Sequence, residues 1–390
     1  MTIPIPAEDP RHIPNRAVVD PAAITENTRA LTGLLEDTTA LMAVVKADGY
    51  GHGMLMAARA AVEGGATWLG VAHPASALAL ARADLDVHIL TWLYEPVTAR
   101  LVLPEVIESG VDVSVGSLEM LQLVSEAAQS TGLRARVHVK IDTGMGRNGI
   151  APHQLTELGA AIRDDDSISL VGAWTHLTSA DDVDSTHTDQ QAELFDAAVE
   201  RLAEQTGPIP LQHLANSAAT LTRPDLHRDL VRPGIALYGY PPVPTDVPLR
   251  PALTLTSRLA MVKEVEEGHS VGYGRLHHTA RRTRLGLVPI GYADGLPRIA
   301  SDEIEVLIRT ESGDVRVPQV GRISMDQIVV DLGPDSAARP GDTVYLFGDA
   351  GGAPNAPTAP TADHWARAAG TIPYEILTSI SGRVSRETHS

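Results

Sequence analysis

Lysine is rare in this chain, so each lysine is a candidate for chemistry that arginine cannot perform. Only three of the 31 basic residues are lysines, at positions 46, 140 and 263. Arginine supplies a permanent positive charge, whereas lysine can lose its proton and act as an amine. Lys46 ends the apolar run LMAVVK and Lys140 lies in the run ARVHVKID, while Lys263 stands in the charged stretch KEVEEG. We therefore expect amine chemistry at Lys46 or Lys140 rather than at Lys263.

The segment that follows Lys46 reads ADGYGHG. Its glycines permit a tight turn and a close approach of the backbone to a ligand, and Tyr50 stands beside the lysine. An apolar setting disfavours the charged form of an amine, so we expect a lowered pKa for Lys46 and a better nucleophile toward an aldehyde. The alternative is a surface lysine before an ordinary turn.

A second polar cluster surrounds the glycine-rich turn in VKIDTGMGRNG, with Lys140, Asp142 and Arg147. The planar guanidinium of Arg147 suits a carboxylate or a phenolate oxygen. A bare ammonium inside a strand is costly without a partner. The alternative is a structural Lys140–Asp142 pair at the end of a strand.

Three later motifs offer polar groups at the ends of apolar runs. The run LVGAWTH ends at His176, which alone fits a core histidine as well as a functional one. HLANSAAT leads through Asn216 and Ser217 toward a helix, and LVRPGIAL contains Arg232, Gly234 and Ile235. Free backbone N–H groups and a serine hydroxyl can bind a phosphate, and barrels commonly bind one after their seventh and eighth strands. The alternative is a pair of ordinary turns.

The last third of the chain carries three of the eight tyrosines in short motifs flanked by glycine or proline, and a further motif, GRISMDQ, without a tyrosine. Such aromatic residues near turns fit either a binding site or plain packing. The residues singled out are Tyr273 in VGYGR, Tyr292 in GYADG, Met325 and Asp326 in GRISMDQ, and Tyr374 in IPYEI.

Eight short apolar runs, alternating with helical stretches, precede these tyrosine motifs. Several lack strict alternation, as strands buried on both faces should. The pattern favours an N-terminal (β/α)8 TIM-like barrel, whose catalytic groups would lie where strands end, although a doubly wound sheet has the same alternation. The runs are 41–46, 68–73, 87–92, 111–115, 135–142, 170–176, 211–216 and 230–237.

A proline-rich boundary, PPVPTDVPLRP, separates the barrel from short strand-like runs with turns between them. We therefore expect a barrel domain at 14–245 and a C-terminal mainly β domain at 246–390, with a single late helix in TADHWARAAG. Residues 1–13 are expected to pack with the second domain.

Composition excludes several classes of function. The net charge of −18 argues against nucleic acid and anionic membranes as partners. With no cysteine, the chain has no disulfide, no thiolate metal site and no cysteine nucleophile, and no metal site is expected. The start of the chain has no apolar signal-like core, so a cytoplasmic location is expected.

Taken in order, these motifs resemble those of the bacterial alanine racemase family, fold-type III enzymes that use pyridoxal 5'-phosphate (PLP). The match runs through AVVKADGYGHG, KIDTGMGRNG, THLTSAD, HLANSAAT, RPGIALYG, VGYG, GYADG, SMDQ and TIPYEI. The resemblance implies interconversion of L-alanine and D-alanine, which supplies D-alanine for peptidoglycan. It also implies a head-to-tail homodimer with shared active sites.

The resemblance assigns two catalytic bases. Lys46 matches the lysine that holds the cofactor as a Schiff base and exchanges the Cα proton on one face of the substrate. Tyr273 matches the base on the other face, which comes from the partner subunit. Since a tyrosine hydroxyl is a weak base at neutral pH, its site is expected to supply positive neighbours.

The resemblance also assigns the groups around the cofactor. Arg232 matches the arginine that hydrogen-bonds the pyridine nitrogen, with His176 behind it, and Lys140 matches a lysine that is often carbamylated. Arg147 and Met325 match groups near the cofactor oxygen and the substrate carboxylate, and Tyr292 and Asp326 match the entrance and its surroundings. The phosphate-binding set corresponds to Tyr50, Ser217, Gly234, Ile235 and Tyr374.

Other interpretations remain open at this stage. A racemase of the same fold type could act on serine or on several amino acids, although broad-specificity relatives are commonly exported and carry cysteines. Decarboxylases of this architecture need a cysteine near the reacting carbon. A non-catalytic PLP carrier would be a single barrel without the later tyrosine motifs, and a barrel enzyme without cofactor is the least specific alternative.

Overall fold

The computed structural model describes residues 14–182, 186–351 and 356–388. The chain forms two compact units, one comprising Ala22–Arg250 and the other combining the chain from Pro251 with the segment that ends at Pro21. The strand β1 (Arg16–Val19) belongs to the second unit because it pairs with two strands of that unit. This differs from the expected start of the barrel at residue 14, and residues 1–13 lie outside the described part.

The first unit is built on an eight-stranded parallel sheet that curves into a barrel. Its strands follow the order β8-β7-β6-β5-β4-β3-β2-β9. Bonds from Asp229 N to Gln212 O and from Arg232 N to Ala215 O connect the two ends of that order and complete the ring. The strands are β2 (Ala40–Val44), β3 (Trp68–Val71), β4 (His88–Thr91), β5 (Asp112–Val115), β6 (Ala135–Lys140), β7 (Ile168–Trp174), β8 (Leu211–His213) and β9 (Leu230–Val231). The expected TIM-like barrel is confirmed.

Helices separate the barrel strands, and local sequence fixes several of their starts. Helix α5 begins at a proline, and the carboxylate of Glu95 accepts bonds from the first free N–H groups, as N-caps do. Ser117 caps α6 in the same way. The helices are α1 (Pro21–Thr32), α2 (Lys46–Tyr50), α3 (Met54–Glu63), α4 (Pro74–Ala81), α5 (Pro96–Glu108), α6 (Leu118–Thr131), α7 (Leu155–Arg163), α8 (His187–Thr206) and α9 (Ser217–Thr222).

The second unit is mainly β, as expected. A six-stranded sheet has the order β16-β15-β18-β10-β1-β19, beside a three-stranded sheet β11-β14-β17 and a two-stranded ribbon β12-β13. The strands not yet given are β10 (Leu253–Arg258), β11 (Met261–Val265), β12 (Ser270–Val271), β13 (His277–His278), β14 (Thr283–Val288), β15 (Glu305–Thr310), β16 (Gly313–Pro318), β17 (Ile328–Asp331), β18 (Thr343–Phe347) and β19 (Ser385–Thr388).

Two helices lie late in this unit, α10 (Ala362–Ala369) and α11 (Pro373–Ser379). The sequence predicted only the first, because the second has seven residues and begins directly at a proline. Among the described residues, no helix is both long enough and apolar enough to cross a bilayer.

Candidate active site

Lys46 stands at the end of β2, where the chain enters an unusual turn. Ala47, Asp48 and Gly49 have φ values of 53°, 54° and 61°, and Tyr50 has 54°. This left-handed conformation is unfavourable for residues with a side chain, and such strain concentrates at functional sites. The turn is held by the Asp48 carboxylate, which accepts a bond from Met54 N at 2.8 Å. It leaves the ring of Tyr50 buried, 4.9 Å from that of Tyr238.

Four cationic side chains converge near this end of the barrel. Burial, and then the charge of Arg147, lowers the pKa of Lys46. Burial, followed by the charges of Arg232, Arg147 and Lys46, lowers the pKa of Lys140 to about 8. In a chain with net charge −18, a cluster of like charges predicts an anionic ligand that balances it.

His176 lies among the same cations and carries no charge at neutral pH. Burial, and then the four positive charges with Arg232 and Arg147 first, lowers its pKa to about 3. The structure therefore brings His176 into the cluster of Lys46, Lys140, Arg147 and Arg232, where its neutral ring adds polar surface without adding charge.

The charge of Asp142 raises the pKa of Lys140 against the larger lowering by burial, but the carboxylate makes its hydrogen bonds elsewhere and does not form the structural ion pair of the alternative. The Asp142 carboxylate accepts bonds from Gly144 N and Gly146 N, at 3.0 to 3.1 Å, and so shapes the glycine-rich turn that carries Arg147. The ammonium of Lys140 lies 4.2 Å from the centroid of the Trp174 ring, a favourable cation–π distance. The Trp174 ring thus holds the Lys140 amine near the other cationic side chains.

A small polar cradle lies where β8 and β9 end. Ser217 Oγ accepts bonds from Gly234 N at 2.9 Å and from Ala236 N at 3.4 Å, which leaves its own hydroxyl proton to donate. A Cβ at Gly234 would lie 2.3 Å from the Tyr50 hydroxyl oxygen. Only glycine therefore lets the Tyr50 hydroxyl pack this close to the backbone. Ile235 is buried in the same turn, and Asn216 caps α9 through a bond from Ala219 N.

Arg232 is buried and held from one side of its guanidinium. It donates to Thr175 O at 2.7 Å, to Leu214 O at 3.1 Å and to Nδ1 of His213 at 3.2 Å. The sequence interpretation placed His176 behind Arg232. The histidine that hydrogen-bonds the guanidinium is His213, while His176 lies close enough for the charge of Arg232 to lower its pKa. Burial lowers the pKa of Arg232 to about 9, so the guanidinium stays charged at neutral pH.

Sequence reasoning missed His213, although a signal was present. His213 opens the motif HLANSAAT and ends β8, while Arg232 directly follows β9. In a closed barrel the last strand lies beside β8 as well as β2, so groups at the ends of β8 and β9 meet. The sequence places both residues at strand ends but does not tell which histidine faces the arginine.

In the second unit, backbone hydrogen bonds bring together the motifs GYADG and GRISMDQ. Tyr292 N donates to Ser324 O and Ala293 N to Met325 O, each at 3.0 Å. Gly291 is required at this junction, because a Cβ there would lie 2.3 Å from Ser324 O. The structure thus sets Tyr292 next to Met325 and Asp326.

Arg383 ties this junction to the end of the chain and was not found from sequence. Its guanidinium lies 2.6 Å from Asp326 and 3.3 Å from the buried carboxylate of Asp294. Asp294 in turn accepts a bond from Gly291 N at 2.8 Å. Arg383 therefore orients the two motifs from outside, without belonging to either.

Tyr273 lies in the tight turn between β12 and β13, which packs against Arg322 of the GRISMDQ motif. Gly272 and Gly274 flank it, both with φ of 70°, a region that glycine enters freely. Its side chain is 71% exposed, and Met325 is 52% exposed. Tyr374 is half-buried near the start of α11.

Comparisons with known proteins cover almost the whole chain. Residues 19–242 match the family model "Alanine racemase, N-terminal domain", and residues 252–388 match "Alanine racemase, C-terminal domain". The chain is 46% identical to the alanine racemase of Streptomyces coelicolor over 385 residues, which is 95% of each chain. It is 45% identical to that of Thermobifida fusca, covering 89% of this chain and 90% of the relative.

Solved structures agree with the sequence comparisons. The chain is similar to the crystal structure of alanine racemase from the D-cycloserine-producing Streptomyces lavendulae, with a TM-score of 0.89, 42% identity and 97% of each chain covered. The alanine racemase structure from Streptomyces coelicolor gives a TM-score of 0.88 at 44% identity, covering 96% of this chain and 97% of that one. With both of its units matched in order, the chain belongs to the alanine racemase family.

Proposed function

We propose that this protein interconverts L-alanine and D-alanine, with PLP bound at Lys46. The observation that carries the proposal is the placement of Lys46: an amine of lowered pKa at the end of a barrel strand, among Arg147, Lys140 and Arg232, in a chain of this family. The proposed physiological role is the supply of D-alanine for peptidoglycan in the cytoplasm.

The donor set of the barrel fits this cofactor. In the cradle of Tyr50, Ser217 and Gly234, the absence of a Cβ at Gly234 lets the Tyr50 hydroxyl lie beside the backbone. The hydroxyl proton of Ser217 can be donated, as a phosphate requires. Ile235 continues the cradle, and we propose that Tyr374 completes it. Asn216 holds the helix that begins beside it.

Arg232 has donors to spare for a ring nitrogen. Three of its bonds go to protein acceptors, and a guanidinium has five N–H groups. Because it retains its proton, Arg232 donates a hydrogen bond without transferring a full positive charge to the ring. When bound, the cofactor supplies an electron-withdrawing ring that acidifies the substrate Cα–H.

The two proposed bases divide the proton transfer between opposite faces of the substrate. The neutral amine of Lys46 would take the proton from Cα on one face, and the resulting ammonium would return it there. The phenolate of Tyr273, supplied by the partner, would take the proton on the other face, and its hydroxyl would return it. Arg147 and Met325 orient the substrate carboxylate, while Tyr292 and Asp326 shape the entrance.

The proposed assembly is a head-to-tail homodimer. Its support is the exposure of the second unit's site residues: Tyr273 is 71% exposed, and the apolar Ile299 is 75% exposed. A base that is directed to solvent in one chain can serve a site completed by another copy, and exposed apolar groups favour such a contact.

The function is tested by the purified protein with added PLP. Incubation of L-alanine in D₂O should give D-alanine with deuterium at Cα, measured by chiral chromatography and NMR. Clear preference for serine or lysine over alanine would contradict the proposed substrate. The absence of any visible absorption band after addition of cofactor would contradict the class of enzyme.

The Gly234→Ala variant should bind PLP more weakly. The new Cβ would lie 2.3 Å from the Tyr50 hydroxyl oxygen, and overpacking of this kind costs about 1–3 kcal/mol. The affinity of the apoenzyme for PLP can be measured by fluorescence titration. Gly382→Ala is the matched control, because nothing lies within 4 Å of a Cβ there. Equal PLP affinities of the two variants would show that the cradle does not bind the cofactor.

We propose that Lys140 is carbamylated. Its pKa of about 8 leaves a fraction of neutral amine at neutral pH, which is the form that reacts with CO2, and the resulting anion would balance Arg147. Native mass spectrometry in bicarbonate buffer should show one added CO2, lost in Lys140→Ala. Retention of the added mass in that variant would assign the modification to another amine.

A further inference from the structure

A continuous chain of buried polar groups runs through the barrel interior to Arg232. Nε2 of His138 lies 3.1 Å from the carboxylate of Asp112, and its Nδ1 lies 2.9 Å from Nε2 of His213. Nδ1 of His213 lies 3.2 Å from Arg232 Nη1. All four residues are buried. They come from β5, β6, β8 and the end of β9, so these hydrogen bonds can form only when the barrel has closed.

The groups at the two ends of this hydrogen-bonded series determine which ring nitrogen of each histidine carries the proton. At one end, Arg232 can only donate, so Nδ1 of His213 must accept and its proton must sit on Nε2. At the other end, both oxygens of the Asp112 carboxylate accept from Arg136, so Asp112 is an acceptor toward His138 as well and the proton of His138 must sit on Nε2. Nδ1 of His138 then accepts from His213. The two independent requirements agree on one pair of tautomers.

An extra proton has no place in this arrangement. A proton added to Nδ1 of either histidine would set two donors against each other in a buried site, which is costly. Burial, and then the charge of Arg232, lowers the pKa of His213 well below its usual value. His213 therefore remains a neutral acceptor.

Two further groups fix the far end of the chain. Arg136 donates to both carboxylate oxygens of Asp112, at 2.6 Å and 3.2 Å, and its side chain is 41% exposed. This pair holds the Asp112 carboxylate in the position where it meets His138. A Cβ at Gly172 would lie 2.6 Å from Nδ1 of His138, so the glycine leaves the room that the His138–His213 bond needs.

We propose that Asp112 and His138 are positioning residues, which fix the tautomer of His213 and thereby hold Arg232 toward the ring nitrogen of the cofactor. The part that concerns the cofactor rests on the proposed function. With the opposite tautomer, the N–H of His213 would face the guanidinium and push it from its place. With the observed one, Arg232 is anchored on one side and its remaining donors stay available to the ligand.

The tautomers can be read directly by NMR. Protein labelled with nitrogen-15 in its histidine rings should show Nε2-protonated tautomers at both His138 and His213 across the neutral pH range, with and without cofactor. The 15 histidines are assigned by single substitutions. A proton on Nδ1 of His213 in the wild type would overturn the proposal, whether or not the enzyme racemises alanine.

Variants at position 138 distinguish the effect of its two hydrogen bonds from the effect of its packing. Glutamine can donate to Asp112 and accept from His213, so His138→Gln should retain the His213 tautomer and the affinity for PLP. His138→Leu removes both bonds and leaves the buried Nε2–H of His213 without an acceptor, a cost that offsets the preference set by Arg232. We therefore expect mixed His213 tautomers and about tenfold weaker cofactor binding. Gly172→Ala changes none of the four residues but displaces the His138 ring. It should also give mixed His213 tautomers, as His138→Leu does.

The control must lose a buried hydrogen bond elsewhere in the barrel. Thr91, buried on β4, donates to Ala72 O at 3.0 Å, and Thr91→Val should leave both the tautomer signal and the PLP affinity unchanged. If His138→Leu and Gly172→Ala fold but keep the wild-type tautomer and affinity, the proposal fails. Equal losses in His138→Gln and His138→Leu would also overturn it, since packing alone would then explain the effect.

Discussion

In the Lys46→Arg variant, racemisation of alanine falls by a factor on the order of 10⁴. The guanidinium retains the positive charge, but it does not lose its proton and cannot bond covalently to the cofactor. The charge balance of the cluster with Lys140, Arg147 and Arg232 is therefore preserved, and the loss isolates the amine chemistry. Initial rates with purified variants and a chiral readout measure the effect.

The same substitution at Lys263 is the matched control. Lys263 lies on β11 in the second unit, and Lys263→Arg should leave the rate unchanged. Borohydride reduction followed by peptide mass analysis should attach the cofactor to Lys46 in the wild type and in Lys263→Arg. Attachment at another lysine, or a Lys46→Arg enzyme with nearly full activity, would contradict the assignment.

The environment of Lys46 predicts how its reaction with the cofactor depends on pH. Burial and the charge of Arg147 lower the pKa of Lys46 below 10.5. Since the neutral amine is the reactive form, the rate at which the apoenzyme binds PLP covalently should rise with pH and level off at a lower pH than for free lysine. A midpoint at or above that of free lysine would show that these influences do not act.

The barrel could be predicted because its strands are short, apolar and regularly interrupted by helices. The placement of Lys46 followed from the same pattern, since catalytic groups of barrels lie where strands end. The division between units was less accessible: β1 looks like any short strand, and only its pairing with β10 and β19 assigns it to the second unit.

Residues that position other side chains could not be identified from the sequence, for a physical reason. Asp112 and His138 are single polar residues in the runs VDVSV and ARVHVKID, and their partners lie on strands that are distant along the chain. The runs predict that such residues are buried and must be paired, but not with what. Arg383 raises the same difficulty, because its two carboxylate partners come from separate turns.

In the Tyr273→Ala variant, the two faces of the substrate should no longer be equivalent. We expect racemisation to fall by about 10² to 10⁴, because only the Lys46 face retains a base. Exchange of the Cα proton with D₂O should therefore persist for one isomer of alanine and be much slower for the other. Tyr345→Phe, which removes a hydroxyl that accepts from Arg309, is the control and should leave both exchange rates unchanged.

The exposed position of Tyr273 allows a stricter test, because the proposed site takes Lys46 from one chain and Tyr273 from its partner. A Lys46→Ala subunit paired with a Tyr273→Ala subunit has one site with both defects and one site with neither. After unfolding and refolding of an equal mixture, half of the dimers are hybrids, so about a quarter of the wild-type activity should return. If both bases came from the same chain, every site in the mixture would carry a defect and no activity would return. Recovery thus distinguishes a shared active site from one complete within a single chain.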